Sequence, residues 1–453
     1  MSEETEHARM TAITLAMEGI RAADPVRVIK DYLRFSGEEV VLRDGTRLPV
    51  RGRVIVVGAG KATGGMAKGL EEVLGDRISG GVIAIPEALA VEYARELRRV
   101  EVVPSTHPKT SEKSFEAARR VLEAVKGVRE DDLVIALFSG GGSALLEHPV
   151  EGVSIEDIAE TSMLLMRAGA DIFELNTVRK HLSKIKGGWL ARHVYPASCL
   201  ALMISDVIGD RMDTIASGPT VPDPTTFQDA LAIIGKYQLL DRVPRAVLEY
   251  LRAGVEGRVP ETPKPGDKVF DRVVNRVVAS NRISLEAMAE KARAMGYSVI
   301  ILSSMLEGEA REVGKVVAAI AKEIRAHGRP LQPPAVVLLG GETTVTVKGD
   351  GLGGRNQELA LSAAIALRGW DRVVVLSVGS DGRDGPTDAA GAVVDGYTYG
   401  RALELGLKPE EFLNRNDSYS FFKKVGGHVF TGYTGTNVND FVVVVVEKEK
   451  VWD

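Results

Sequence analysis

The chain has 453 residues, 45% hydrophobic and 26% charged, with Lys+Arg 57 against Asp+Glu 62 and a net charge of -5. That length favours two domains, each with its own core, and the slight acid excess argues against a general nucleic-acid binder. One cysteine, Cys199, excludes an intrachain disulfide and points to a reducing, cytoplasmic setting. The start, Met1–Glu6, is acidic and lacks an apolar signal core, and no apolar run is long enough to span a membrane. Only four Gln and eight Asn occur, a scarcity of thermolabile amides that fits a thermophile.

In chain order, Ala12, Leu15, Ala16, Ile20 and Ala23 fall at helical spacing. The segments Val54–Val57, Val82–Ile85, Val100–Val103, Leu133–Phe138 and Leu200–Ser205 read as buried strands, with helices such as Ala67–Leu74 and Glu112–Val125 between them. This alternation predicts a mainly parallel sheet with helices on both faces. Val259-Pro-Glu-Thr-Pro-Lys-Pro-Gly266 opposes helix and strand alike and reads as a linker. Strands Val273–Ala279, Val299–Leu302, Val336–Leu339, Thr343–Val347, Val373–Val378 and Phe441–Val446 follow. Val336–Leu339 and Thr343–Val347 are too close for a helical crossover, which predicts an antiparallel pair and a mixed sheet. The division is then 1–258, a Rossmann-like domain, and 267–453, a second α/β domain. No repeat of 20–50 residues is visible.

Predicted strands end in small or polar residues, where open α/β sheets bind ligands. Gly58-Ala-Gly-Lys61 follows the first of them; Gly58-x-Gly60 is a poor dinucleotide fingerprint, but Lys61 suits a phosphate or carboxylate. Ser139-Gly140-Gly141-Gly142-Ser143 reads as a phosphate cradle without the Gly-Lys-Ser/Thr ending of a Walker loop. Asp206 and Asp210 are candidate Mg²⁺ ligands, with Asp206 directly at a strand end, though turn capping also explains Asp210. Asn176–Gly188 is basic; Arg179, Lys180 and Lys184 face either an anionic ligand or solvent. Ala279 leads to Ser280-Asn281, a further nucleotide-binding candidate, and Leu339 to Gly340-Gly-Glu342, grouped with the substrate-binding residues. Gly349, Gly351, Gly353 and Gly354 precede Arg355 at a helix start, the pattern of an anion site. Asp381 lies in an acidic glycine turn and suits a general base, a metal ligand or a turn former. The histidines show no zinc spacing.

These loops together resemble the glycerate 2-kinases of the MOFRL type (class II glycerate kinases). The segments that carry the resemblance include Val57-Gly-Ala-Gly-Lys-Ala62, Thr106-His-Pro108, Phe138–Ala144, Asn176-Thr-Val-Arg-Lys180, Ser205–Asp210, Ala216-Ser-Gly-Pro-Thr220, Gly340–Thr344, Gly353–Glu358, Gly379–Gly382 and Thr434–Asn437. The resemblance implies two α/β domains with the active site in the cleft between them. It implies ATP-dependent phosphorylation of D-glycerate to 2-phospho-D-glycerate, with Mg²⁺ or a similar cation. Lys61 and Arg355 match the family's proposed active-site lysine and arginine. On that basis Lys61, Arg355, Asp206 and Asp381 are the catalytic candidates, and Ser139–Ser143 with Asn281 hold nucleotide phosphates. A homo-oligomer is left open. The competing functions are a nicotinamide-dependent hydroxypyruvate reductase and a non-catalytic phosphosugar sensor.

Overall fold

The computed structural model describes residues 1–449 and separates into two units, Pro25–Val278 and Met1–Asp24 with the chain from Ala279 onward. Among the described residues no helix is long and apolar enough to cross a membrane.

The Pro25–Val278 unit begins with an antiparallel sheet of β1 (Leu33–Ser36), β2 (Glu39–Leu42) and β3 (Arg47–Pro49). Its main sheet contains β4 (Val54–Ala59), β5 (Ile78–Pro86), β6 (Glu101–Ser105), β7 (Leu133–Phe138), β8 (Ser198–Ile204) and β9 (Val273–Ala279), in the order β6-β5-β4-β7-β8-β9. β6, β5, β4, β7 and β8 pair in parallel. Every residue of β4 and β7 is buried, as expected for central strands covered on both faces. Chain order reverses at the β4/β7 pair, where Ala59 lies opposite Phe138. This is the topological switch point of a doubly wound sheet, the place where such sheets open a crevice.

In the other unit, β10 (Ser298–Leu306), β11 (Ala335–Gly341), β12 (Val373–Gly379), β13 (Gly391–Asp395), β14 (His428–Val429) and β15 (Asp440–Val446) form a sheet of order β10-β11-β15-β12-β13-β14. β10 and β11 are parallel and the remaining pairs antiparallel, so the sheet is mixed. Val442, Val444 and Val446 face helices Ala310–His327 and Arg355–Ala366. Phe441, one residue out of phase, faces helix Glu3–Ala22, as the period of two requires.

Three sequence expectations are corrected. Thr343–Val347 forms no strand and contributes only an isolated bridge from Thr344 to Glu309; the antiparallel partner of β11 is β15. The helix Glu3–Ala22 belongs with the later part of the chain rather than with the domain that follows it. Gly19 lets it pack closely: a Cβ there would lie 2.5 Å from Met288 Sδ, and Ser284 Oγ donates to the Gly19 carbonyl at 2.8 Å. The proline-rich Val259–Gly266 segment is no linker, and β9 beyond it joins the first sheet. The Asp223 amide donates to the Pro263 carbonyl at 2.9 Å, Thr262 Oγ1 to Asp223 at 3.0 Å, and Glu261 meets His181 Nε2 at 2.7 Å. Prolines preclude regular structure, not tight packing.

Glu261 makes that packing pH-dependent. Burial alone would raise its pKa, but the His181 hydrogen bond and the Phe227 amide outweigh burial and hold it at about 2. A carboxyl depressed in the folded state stabilises above its unfolded pKa and loses that contribution as pH falls. Melting curves of Glu261→Gln and wild type should therefore differ by a constant interval above about pH 5 and converge toward pH 2.

Candidate active site

At the switch point, two turns are built into each other. The Lys61 amide donates to the Gly140 carbonyl at 2.9 Å, and the Ala62 amide to Ser139 Oγ at 3.0 Å. Thr63 Oγ1 shares a hydrogen bond with Ser139 Oγ at 3.0 Å, and a Cβ on Gly60 would lie 2.0 Å from that same oxygen. Ser139 is thus a buried strut between the β4 and β7 turns; its hydroxyl is already engaged by protein groups. The three glycines after it have separate reasons. A Cβ on Gly140 would strike Asp206 Oδ2 at 2.1 Å, and one on Gly142 would strike Ala216 Cβ at 2.7 Å. Gly141 takes φ 86° to start the turn Gly142–Leu145.

Lys61 reaches over this loop: its Cε lies 3.5 Å from the Cβ position of Gly141, beside His107. Burial, and then the Lys61 charge, hold the His107 imidazole down to about 4, so it is neutral near pH 7. Asp206, at the end of β8, sets its carboxylate against Gly140, so a hard oxygen ligand stands directly on the glycine loop. Asp210 sits in the following turn at φ 55°, with its amide bonded to the Val207 carbonyl at 3.0 Å. Among the described residues no group of three or more His, Cys, Asp or Glu side chains is placed to hold a metal. A Mg²⁺ that keeps several waters and binds substrate phosphates needs only one or two carboxylates, and Asp206 fits that demand.

Ser143 Oγ meets Ser217 Oγ at 2.8 Å, and Ser217 donates onward to Asn176 Oδ1 at 3.0 Å. Ala216 (φ 51°) and Ser217 (φ 60°) are consecutive left-handed residues with side chains, a strained backbone of the kind that clusters at working sites.

In the other unit, the ends of β11 and β12 converge on the start of β15: Asp440 pairs with both Gly341 and Gly379. Arg355 opens the helix Arg355–Ala366 and grips Asp440 with Nε at 2.5 Å and Nη2 at 2.9 Å. Its Nη1 lies 3.0 Å from Glu342, whose other oxygen accepts from Asn439 at 3.1 Å. Burial works against the Arg355 charge, but the Asp440 carboxylate overrides it and keeps the guanidinium ionised; burial pushes Asp440 up to about 6. Glu342, Thr343, Val345, Gly353 and Arg355 help to line a cleft of about 540 Å³.

The anion site expected at this helix start is occupied by the protein itself. Asp384 accepts the Asn356 amide at 3.0 Å and the Gln357 amide at 2.8 Å, and both side-chain amides besides. The four glycines allow close approach, not positive φ. Added Cβ atoms would meet Arg415 O (2.3 Å from Gly349), Asp417 Cβ (2.4 Å from Gly351), Ser418 Oγ (2.2 Å from Gly353) and Asp384 Cγ (2.3 Å from Gly354). Asn281 spends its amide hydrogens on the Val438 and Asp440 carbonyls, both at 2.9 Å, which makes it a brace for β15. Asp381 accepts the Arg383 amide at 3.0 Å and shapes its own turn.

Comparison with known proteins decides the family. The MOFRL family model matches residues 335–440, and a Domain of unknown function (DUF4147) matches residues 11–252. A glycerate 2-kinase of Pyrococcus horikoshii is 43% identical over 443 residues, 98% of each chain. The chain belongs to the glycerate 2-kinase family. Its fold agrees: the crystal structure of a glycerate kinase from Thermotoga maritima superposes with a TM-score of 0.86 at 40% identity, covering 97% of this chain and 100% of that one. A family relative from Agrobacterium vitis, 44% identical over 87% of this chain and 88% of its own, bears the provisional name hydroxypyruvate reductase.

Lys61, Ser139–Ser143 and Asp206 come together in one unit; Arg355, Glu342, Asp440 and Asn281 come together in the other. Asp384 and Asp440 stand in acidic, glycine-rich turns and His107 in the Thr106-His-Pro108 segment, but their partners are not readable from the sequence. Asp384 lies 28 residues from the amide it caps, and no local pattern marks that pairing. Replacing Asp384 with Ala should cost about 2 kcal/mol in urea unfolding, the loss of a multiply bonded cap. Arg355→Ala leaves Asp440 buried and unpaired, so its pKa rises further. A carboxyl raised in the folded state loses stability as pH climbs through that pKa. The drop in melting temperature relative to wild type should be larger at pH 8 than at pH 5.

Proposed function

We propose that this chain transfers the γ-phosphoryl group of ATP to the 2-hydroxyl of D-glycerate, releasing ADP and 2-phospho-D-glycerate. What supports this is the extent of the likeness to a glycerate 2-kinase: it runs through both units and therefore takes in Lys61 and Arg355 alike. In the transfer a bond forms between the glycerate oxygen and the γ-phosphorus, the bond to the β,γ-bridging oxygen breaks, and the hydroxyl proton goes to a carboxylate. Such chemistry asks a protein mainly for charge neutralisation and alignment.

The amides of Gly140, Gly141 and Ser143 face the phosphates in this scheme; that of Gly142 is already bonded to the Ser139 carbonyl at 3.2 Å. Lys61, beside a neutral His107, neutralises the travelling phosphoryl group or the glycerate carboxylate. Arg355 supplies a second cation to the same turnover. Asp206, with Asp210 as a second candidate, would hold Mg²⁺, which would neutralise phosphate charge. Asp206 or Asp381 takes the proton. A reducing, cytoplasmic setting suits the single buried Cys199, whose thiol burial pushes up to about 12.

Incubation with D-glycerate, ATP and Mg²⁺ should yield ADP and the 2-phospho isomer. Oxidation of NADH by hydroxypyruvate without ADP would instead make the protein a reductase, and binding without turnover would make it a sensor. Arg355→Ala and Lys61→Ala should each lower kcat about a thousandfold, the scale of a lost phosphoryl-facing cation. Near-normal turnover in either variant sinks that residue's role.

A further inference from the structure

Arg179 lies three residues after Asn176 on the helix Ile172–His181, so both share one helix face. The neighbouring cations have counterions. Lys180 lies 3.8 Å from Asp213 and 3.9 Å from Asp223. Lys186, fully buried, pairs with Glu147 and donates to the Leu146 carbonyl at 2.9 Å. Arg179 differs: among the described residues no hydrogen bond or ion pair engages its guanidinium, and its Nε is buried without a partner. Glu147 is the carboxylate whose field acts on Arg179; Lys186 holds one of its oxygens, and the other is buried without a hydrogen bond.

Asn176, only 2% exposed, repeats the pattern. Its Oδ1 accepts from Ser217, but its Nδ2 is buried with no acceptor. Through Ser217 it is wired to Ser143 of the glycine loop. The strained Ala216-Ser217 backbone makes that connection and also fills the space that a Gly142 side chain would take. Unused donors on one buried and one partly buried side chain, next to a phosphate-type loop, describe a site with room for an acceptor. Arg179 is partly exposed, and the one carboxylate that acts on it is shared with Lys186, so its charge is incompletely matched in the free protein.

We propose that Arg179 and Asn176 form an oxyanion subsite beside the Ser139–Ser143 loop, completed by the carboxylate of the hydroxy acid or by a phosphate of the nucleotide. The guanidinium fork offers paired donors to two oxygens, and the Asn176 amide adds a third donor. This rests on the kinase function proposed above. Burial lowers the Arg179 pKa from its ordinary value, and an arriving anion reverses that effect.

Calorimetric titration of the full chain with D-glycerate, and separately with a non-hydrolysable ATP analogue, tests the subsite without requiring turnover. Arg179→Met should weaken one of the two ligands about a hundredfold, the scale of a lost buried charge pair. Loss of glycerate affinity identifies the carboxylate as the occupant; loss of analogue affinity identifies a phosphate. The same variant, free of ligand, should melt no lower than wild type, because only an incompletely matched charge is gone. Unchanged affinities overturn the proposal, and a lowered melting temperature with both affinities intact assigns Arg179 a structural role instead. Should Arg179→Met fail to fold, Arg179→Lys keeps the charge without the fork and should bind at least about tenfold more weakly; wild-type affinity in that variant also overturns the subsite. A wild-type chain that binds neither ligand sinks the kinase assignment itself, and the subsite falls with it.

Discussion

The chemistry of the Pro25–Val278 unit depends on one close approach, that of the β4 turn to the β7 turn. Main chain meets main chain there, Lys61 amide to Gly140 carbonyl, and one buried hydroxyl, Ser139 Oγ, serves both turns. A side chain on Gly58 would lie 2.0 Å from the Leu137 carbonyl, and one on Gly60 would displace the Ser139 hydroxyl. The glycines of this motif are therefore needed twice over. They let two parallel strands end in one crevice, and they leave backbone amides uncovered where the strand order reverses. Lys61, the glycine loop and Asp206 inherit their positions from that contact.

The second unit handles a helix start in the opposite way. A helix N-terminus attracts negative charge, and at Arg355–Ala366 the protein supplies it through Asp384. Arg355 is consequently not one cation of an open anion site but the centre of an acidic cluster with Asp440 and Glu342. Any anionic ligand that uses Arg355 must meet its exposed edge or displace a carboxylate. Glu342 is the one that can yield, because its side chain is 46% exposed whereas that of Asp440 is 7% exposed. A partner that can swing aside lets the guanidinium remain folded and paired when no ligand is bound.

Much of this was legible in the sequence, and the failures share a cause. The central strands were readable because buried parallel strands are continuous apolar runs, as in Leu133–Phe138. Loops at strand ends were readable because their glycines and polar residues interrupt those runs. What could not be read was which distant segment fills a gap. Val259–Gly266 has the composition of a linker, yet Asp223 and His181 bind it into the unit that contains β9. Asn281 looked like a ligand at a strand end until Val438 and Asp440 claimed its hydrogens. Ser139 looked like a phosphate donor until Ala62 and Thr63 took its oxygen. In each case the residue type was right for a site, and a partner remote in sequence decided its use.

The distribution of unfavourable features follows the same logic. Left-handed Ala216 and Ser217, the unmatched Asn176 amide and the Arg179 Nε without a partner lie near the glycine loop. Elsewhere on the same helix, Lys180 and His181 are matched by Asp223 and Glu261. One helix thus has both a satisfied face and an unsatisfied one. Buried polar atoms without partners occur elsewhere too, at Arg272, Arg372, Arg401, Ser418 and Thr436; what distinguishes this neighbourhood is that the idle donors of two side chains on one helix face lie beside a loop fixed by Ser139, which fits hydrogen-bonding capacity reserved for something that arrives later.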